Sequence, residues 1–255
     1  MRLGIYCVIG LVFGANLALS QTKKTATPTP TPALPEFRPA LVGTGPTALI
    51  NTIDTADLIK KGQKDAAVMF TCLVSPTGEI ARSGTYRGTK GSELLEKEVL
   101  KRLANAKFIP AIHNHQPVLA VFNGTVTFAV VNGKPRLRIF ANQQMPEVDK
   151  ETDFIDPQPY VGQDSKFTGT HTPETPTTVA LTGVVELEVE VDATGNLKNM
   201  QVVSEEPPFL NLGEAALSDF NGAKFIPAFR NGKPVDSKVT LHVYYKTQPP
   251  PQPRS

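Results

Sequence analysis

A six-residue string occurs twice in this chain. Ala106-Lys107-Phe108-Ile109-Pro110-Ala111 returns as Ala223-Lys224-Phe225-Ile226-Pro227-Ala228. The same offset, without a gap, carries Val74 onto Val191, Gly78 onto Gly195, Leu100 onto Leu217 and Pro117-Val118 onto Pro234-Val235. Self-similarity at one fixed spacing marks a duplicated structural unit, so the fold of one copy constrains the other.

The second copy has the cleaner pattern. Val185, Leu187, Val189 and Val191 alternate with Glu186, Glu188, Glu190 and Asp192, the period of a strand with one dry and one wet face. Asp192-Ala193-Thr194-Gly195 then supplies a turn, with Gly where positive φ is wanted. Leu197 to Val203 returns as a second strand. Leu212, Ala216, Leu217 and Phe220 fall at helical spacing over Leu212–Phe220, and Gly222 follows where a helix can stop. Phe225-Ile226-Pro227 leads through Asn231-Gly232-Lys233-Pro234 into a third strand, Val235 to Tyr245. Its Val239, Leu241, Val243 and Tyr245 alternate with Lys238, Thr240, His242 and Tyr244.

The first copy repeats the plan, with strands over Val68–Val74, Ile80–Tyr86 and Val118–Val131 and a helix over Leu94–Ala104. A short N-capped helical turn precedes it at Thr55-Ala56-Asp57-Leu58-Ile59. Val131-Asn132-Gly133-Lys134 is a two-residue hairpin signal, and Arg136-Leu137-Arg138-Ile139-Phe140 alternates as a fourth strand would. The fold class is therefore α+β: two tandem modules, each a small antiparallel or mixed three-stranded sheet (strand-strand-helix-strand) packed on a helix, the first with a fourth strand.

The flanks differ in kind. Arg2 followed by the apolar run Leu3–Leu17 and the small-x-small site Ala18-Leu19-Ser20 reads as a signal peptide. The rival reading is an uncleaved anchor, since the run approaches the ~20 residues that cross a bilayer. Thr27 to Pro39 alternates Thr and Pro and is expected to be an extended spacer, and Pro249-Pro250-Pro251-Gln252-Pro253 a similar tail. The domains expected are thus a signal peptide over 1–20, a spacer over 21–48, a module over 49–140, a linker with little regular structure over 141–178, a second module over 179–247 and a Pro-rich tail over 248–255. With 26 Lys+Arg against 24 Asp+Glu the net charge is +2, which gives no clustered basic face for nucleic acid. Export with Cys72 as the single thiol outside the signal leaves no internal disulfide. Alternation points Cys72 inward with Val68, Phe70 and Val74.

The ordered set Gly183-Val184-Val185-Glu186-Leu187-Glu188-Val189, Gly195, Glu214-Ala215-Ala216-Leu217, Phe225-Ile226-Pro227 and Asn231-Gly232-Lys233-Pro234-Val235, closed by the strand to Tyr245, resembles the TonB C-terminal domain family. The resemblance covers two stretches, near half the chain together. It implies a periplasmic module that captures an extended segment of an envelope partner, such as an outer-membrane transporter, by strand addition. Three features depart from the family, the first being a Pro segment far shorter than a spacer that crosses the periplasm. Residues 3–19 lack the ionisable residue of a motor-coupled anchor, and Gln158-Pro159-Tyr160 reverses the family's Tyr-Pro signature about 25 residues early.

Strand addition needs an exposed edge. In the first copy the fourth strand covers it. In the second, Lys238, Val239, Thr240, Leu241, His242, Val243, Tyr244 and Tyr245 are the expected partner-binding residues, the same strand buried against the other module being the alternative. The Glu186/Glu188/Glu190 stripe could suggest a cation site. Carboxylates two apart stand ~6.5–7 Å from one another, though, and Lys238 and His242 lie across the strands as partners. His113-Asn114-His115 aligns with Arg230-Asn231-Gly232, a loop before the third strand, so a surface turn is preferred to a metal site. No nucleophile–base set and no Gly-rich phosphate loop appears, so neither catalysis nor a cofactor is expected. The functional expectation is a non-catalytic periplasmic binding protein that takes an extended envelope segment, with transport across the outer membrane as its setting. The alternatives are a self-associating scaffold, with homo-oligomers as its form, and an energy transducer anchored in the inner membrane through residues 3–19, the only case with membrane contact.

Overall fold

The computed structural model describes residues 33–150, 153–173 and 182–246. The expected signal peptide, the front of the spacer, part of the linker and the Pro-rich tail lie outside them. In chain order the elements are β1 (Phe37–Arg38), α1 (Leu49–Thr52), α2 (Thr55–Lys60), β2 (Ala66–Val74), β3 (Ile80–Gly88), α3 (Glu93–Leu103), β4 (Ala111–His113), β5 (Gln116–Val131), β6 (Lys134–Phe140) and α4 (Met145–Lys150). They continue with β7 (Phe154–Ile155), β8 (Gln158–Val161), β9 (Thr182–Val191), β10 (Leu197–Glu206), α5 (Leu212–Phe220), β11 (Phe225–Ile226), β12 (Ala228–Arg230), β13 (Lys233–Val235) and β14 (Ser237–Lys246). The architecture is mixed α+β, and every strand pairing is antiparallel.

Two sheets follow the two alternating patterns. In the first, β2 lies between β3 and β5, and β6 pairs with the far side of β5 through the expected Asn132-Gly133 hairpin. In the second, β9 lies between β10 and β14. Each sheet buries one face on a helix. Val68, Phe70, Cys72 and Val74 of β2 pack against Leu95, Val99 and Leu103, which recur every four residues down α3. Val185, Leu187, Val189 and Val191 of β9 pack against Leu212, Ala216 and Phe220 of α5. The Glu205 carboxylate accepts the Gly213 N–H at 2.5 Å and so satisfies one free donor at the start of α5. Among the described residues no helix is long and apolar enough to cross a membrane.

One backbone turn occurs at both copies of the repeat. Gly78 and Gly195 have φ +84° and +82°, and each carbonyl accepts the N–H of the Phe in the Phe-x-Pro string, Phe108 at 2.8 Å and Phe225 at 2.9 Å. The turns are closed alike, by Gly78 N–H to the Ser75 carbonyl and Gly195 N–H to the Asp192 carbonyl, both 2.9 Å. Burial alone would raise the Asp192 carboxyl, but hydrogen bonds from Lys198, Thr194 and Asn196 outweigh it and hold the group well below the usual carboxylate range. The repeated glycine and the repeated Phe-x-Pro are thus two ends of one contact.

Two expectations are corrected. The end of the spacer is part of the fold: β1 pairs with β4, Ala40 is fully buried, and the Gln158 side chain brackets the Ala40 backbone, accepting its N–H at 2.7 Å and donating to its carbonyl at 3.1 Å. The segment between the modules is not irregular either. It contains α4, β7 and β8, and buries Phe154, Tyr160 and Phe167. β8 pairs with β5 on one side and β11 on the other, so backbone hydrogen bonds run from the first module into the second. Ile226 and Phe229 of the second copy accordingly sit in the core of the first.

Candidate functional site

All eight expected partner-binding residues lie on β14, the edge strand of its sheet. Only β9 pairs with it among the described residues, in register from Ser237↔Val191 to Lys246↔Thr182. Val239, Leu241, Val243 and Tyr245 point into the second core, and the Tyr245 hydroxyl donates to Asp219 at 3.2 Å. Lys238, Thr240, His242 and Tyr244 occupy the other face. Lys238 Nζ lies 3.0 Å from Glu188 and 3.2 Å from Glu190, and His242 Nε2 lies 3.5 Å from Glu186. The carboxylate stripe thus meets the cross-strand partners that its spacing suggests, the Lys238 ammonium and the His242 ring.

Among the described residues the outward backbone of β14 is met by side chains at two points, the Lys246 carbonyl near its end, which accepts from the Thr172 hydroxyl at 3.5 Å, and His242 in its middle. His242 N–H donates to Gln143 Oε1 at 3.0 Å, and Gln143 Nε2 donates back to the His242 carbonyl at 3.3 Å. The side-chain amide thereby imitates the two hydrogen bonds of a paired strand residue. Because His242 turns its polar groups away from β9, the two-residue period directs those of Lys238, Thr240, Tyr244 and Lys246 the same way. Gln143 is 1% exposed; its own N–H donates to Asp156 at 2.9 Å, and its amide also donates to the Tyr86 hydroxyl. It is a clip between the segment after β6 and the middle of β14.

Around the clip, residues of β3 pack on the side-chain face of β14 that carries His242 and Tyr244. Tyr86 stacks on Tyr244 at 5.9 Å between centroids and lies 6.1 Å from the His242 ring. The Tyr244 ring edge lies where a side chain on Gly84 would begin, 2.7 Å from an ideal Cβ, so a residue larger than Gly there would displace the Tyr244 ring. Arg87 reaches Glu186 at 2.6 Å. That hydrogen bond, ahead of burial, which opposes it, holds the Glu186 carboxyl below its ordinary value. None of Gln143, Tyr86 or Arg87 was singled out from the sequence. Arg87 and Glu186 carried a signal only as opposite charges on two wet faces, and Gln143 sits where no periodicity exists.

Burial, and after it the Arg87 charge, lower the His242 pKa, with Glu186 opposing. Its Nδ1 is buried with no hydrogen-bond partner, so protonation would create an unpaired N–H. A depressed histidine pKa means that the unfolded chain binds the proton more readily. Stability is therefore fully present above the unfolded value near 6.5 and falls as pH drops from there toward the folded pKa. The thermal midpoint is expected to be lower at pH 5.5 than at pH 7. His242→Gln should flatten that slope, and an unchanged slope in the variant would place the sensitive group elsewhere.

The other sequence candidates resolve as follows. Asn114 and His115 both have positive φ, 47° and 62°, as do Asn231 and Gly232, 51° and 72°. Both pairs are tight hairpin turns, and His115 Nδ1 contacts the Leu34 carbonyl at 2.5 Å. His113 is not a surface residue: it stacks on Tyr160 at 4.4 Å and its Nε2 lies 2.9 Å from the Tyr160 hydroxyl and 3.0 Å from Asp164. The three side chains pin β4 to β8. Cys72 is buried, and burial pushes its thiol pKa far up, which leaves no nucleophilic thiolate.

Residues 173–247 match the family described as the Gram-negative bacterial TonB protein C-terminal. The matched range holds β9 through β14 and so includes the whole edge strand. No curated protein and no solved structure matches the chain.

Proposed function

We infer that this chain is a non-catalytic, TonB-like envelope protein in which two tandem modules of one kind are joined, the second receiving an extended segment of an envelope partner along β14. One observation carries the reading: β14 is the edge of its sheet, while the corresponding strand β5 is already flanked on its far side by β4, β8 and β6. The TonB family match to residues 173–247 supports the assignment of the second module, and the shared turn at Gly78 and Gly195 supports the same kind for the first. Export to the periplasm rests on the signal-like residues 1–20, and an outer-membrane transporter is the partner that the family suggests. The Gln143 clip favours a second reading, in which the edge serves to hold the two modules together as a scaffold.

Hydrogen–deuterium exchange separates the two. Under strand addition the outward amides of Lys238, Thr240 and Tyr244 exchange faster than the inward amides of Val239, Leu241 and Val243, and slow when an extended peptide from a transporter's periplasmic segment is added. Thr240→Pro removes an outward donor without touching the ladder to β9, which an edge strand tolerates. It should weaken such a peptide about tenfold, about 1.4 kcal/mol, with the melting temperature nearly unchanged. Equal protection of all these amides without a partner would leave the scaffold reading.

A further inference from the structure

We propose that the cleft between the outer face of the first sheet and the C-terminal half of β14 is a binding site for a small amphipathic carboxylate: a medium-length apolar chain with an anionic head and an N–H or O–H donor close to it. The cleft has a volume of 310 Å³, at the lower end of the range of small-ligand sites. It lies beside the strand edge but is argued from its own walls, and it does not depend on strand addition.

The walls divide by chemistry. Leu73 and Val121, both partly exposed, come from the sheet face of the first module and offer an apolar chain its contact surface, while the buried Phe167, Leu241 and Val243 of the second core back the opposite wall. Charge then selects the head group. Arg82 and Lys246 line the cleft, and no carboxylate does so among the described residues. Arg82 spends one N–H on the Thr170 hydroxyl at 3.2 Å, and among the described residues neither cation is paired with an acid. Two uncompensated cations beside an apolar hollow favour an anion over a neutral or cationic occupant. Asn123 adds the third requirement. It lines the same wall, is 8% exposed, and its side-chain oxygen is buried without a hydrogen-bond partner. A buried acceptor left unpaired is unfavourable, so an occupant that donates an N–H or O–H gains an interaction the protein alone does not make.

The test uses the full chain and three probes in titration calorimetry. N-octanoylglycine carries chain, donor and carboxylate; octanoate lacks the separate donor; N-octylacetamide lacks the charge. N-octanoylglycine is expected to bind saturably at one per chain, octanoate several-fold more weakly, and N-octylacetamide at least tenfold more weakly. Arg82→Glu, at an exposed position, should cost N-octanoylglycine about tenfold while leaving N-octylacetamide unchanged. Val121→Trp, which fills the hollow, should abolish both. Thr240 does not line the cleft, so Thr240→Pro should leave N-octanoylglycine binding intact, which separates this proposal from the strand-addition reading. Absence of saturable binding, equal affinity for the neutral amide, or binding indifferent to Arg82→Glu would each overturn it.

Discussion

Gly195→Ala is expected to destabilise the protein by about 3 kcal/mol or more, and Gly78→Ala by a similar amount, placing both at the severe end for single substitutions. Two costs coincide at these positions. Each glycine has φ above +80°, where an L side chain is strained by about 1–2 kcal/mol. Each also lies against a backbone oxygen: an ideal Cβ on Gly195 would sit 2.0 Å from the Phe225 carbonyl oxygen, and one on Gly78 would sit 2.1 Å from that of Phe108. A carbonyl cannot rotate aside as a lysine stem can, and here it is followed by Pro227 or Pro110, whose ring is itself within 3.7 Å of the added carbon. The turn or the Phe-x-Pro segment must shift, and Phe225 and Phe108 are both buried. Gly232→Ala is the control, since φ is +72° but nothing lies within 4 Å of the added carbon. Urea denaturation of the three variants should give about 1 kcal/mol for Gly232→Ala and a loss several times larger for the other two. Equal losses would show that the close approach contributes nothing.

The same contact explains what could be read from the chain beforehand. Asp192-Ala193-Thr194-Gly195, the alternation from Val185 to Val191 and the helix over Leu212–Phe220 are local signals, because turn chemistry and side-chain period are set by neighbours a few residues away. The edge position of β14 also followed from order alone, as the last strand returns beside the first. What lay beyond reach was decided between distant residues. Gln143 gives no sign that its amide will pair with the backbone of His242, and Gln158 none that it will bracket Ala40. Tyr160 sits between Pro159 and Val161 in a four-residue strand, and Phe167 among Ser, Lys, Thr and Gly outside any strand, both too short a context to show a period. His113 looked like half of a surface pair because Asn114 and His115 announce a turn. Its own ring is turned inward by Tyr160, a residue of the supposed linker.

That linker yields the second large effect. Phe167→Ala is expected to cost about 3–5 kcal/mol, the usual range for truncating a fully buried phenylalanine and a third or more of the stability of an ordinary domain. Phe167 is 0% exposed, belongs to the core of the second module, and lies 5.0 Å from the Phe220 ring at the end of α5. Its neighbours fix it in place: Lys166 N–H donates to the Gly222 carbonyl at 3.1 Å, and Lys224 N–H donates to the Ser165 hydroxyl at 3.1 Å. The substitution would remove the ring that packs on Phe220 at the end of α5 and leave a void in the second core. Phe209→Ala is the matched control, because Phe209 is 76% exposed and should lose less than about 0.5 kcal/mol. The comparison decides where the second module begins. A full loss for Phe167→Ala places 153–173 inside the folding unit, so that the family-like stretch 173–247 lacks part of its own core when considered alone. A loss close to that of Phe209→Ala would instead make the segment a strap laid over a module that is complete without it.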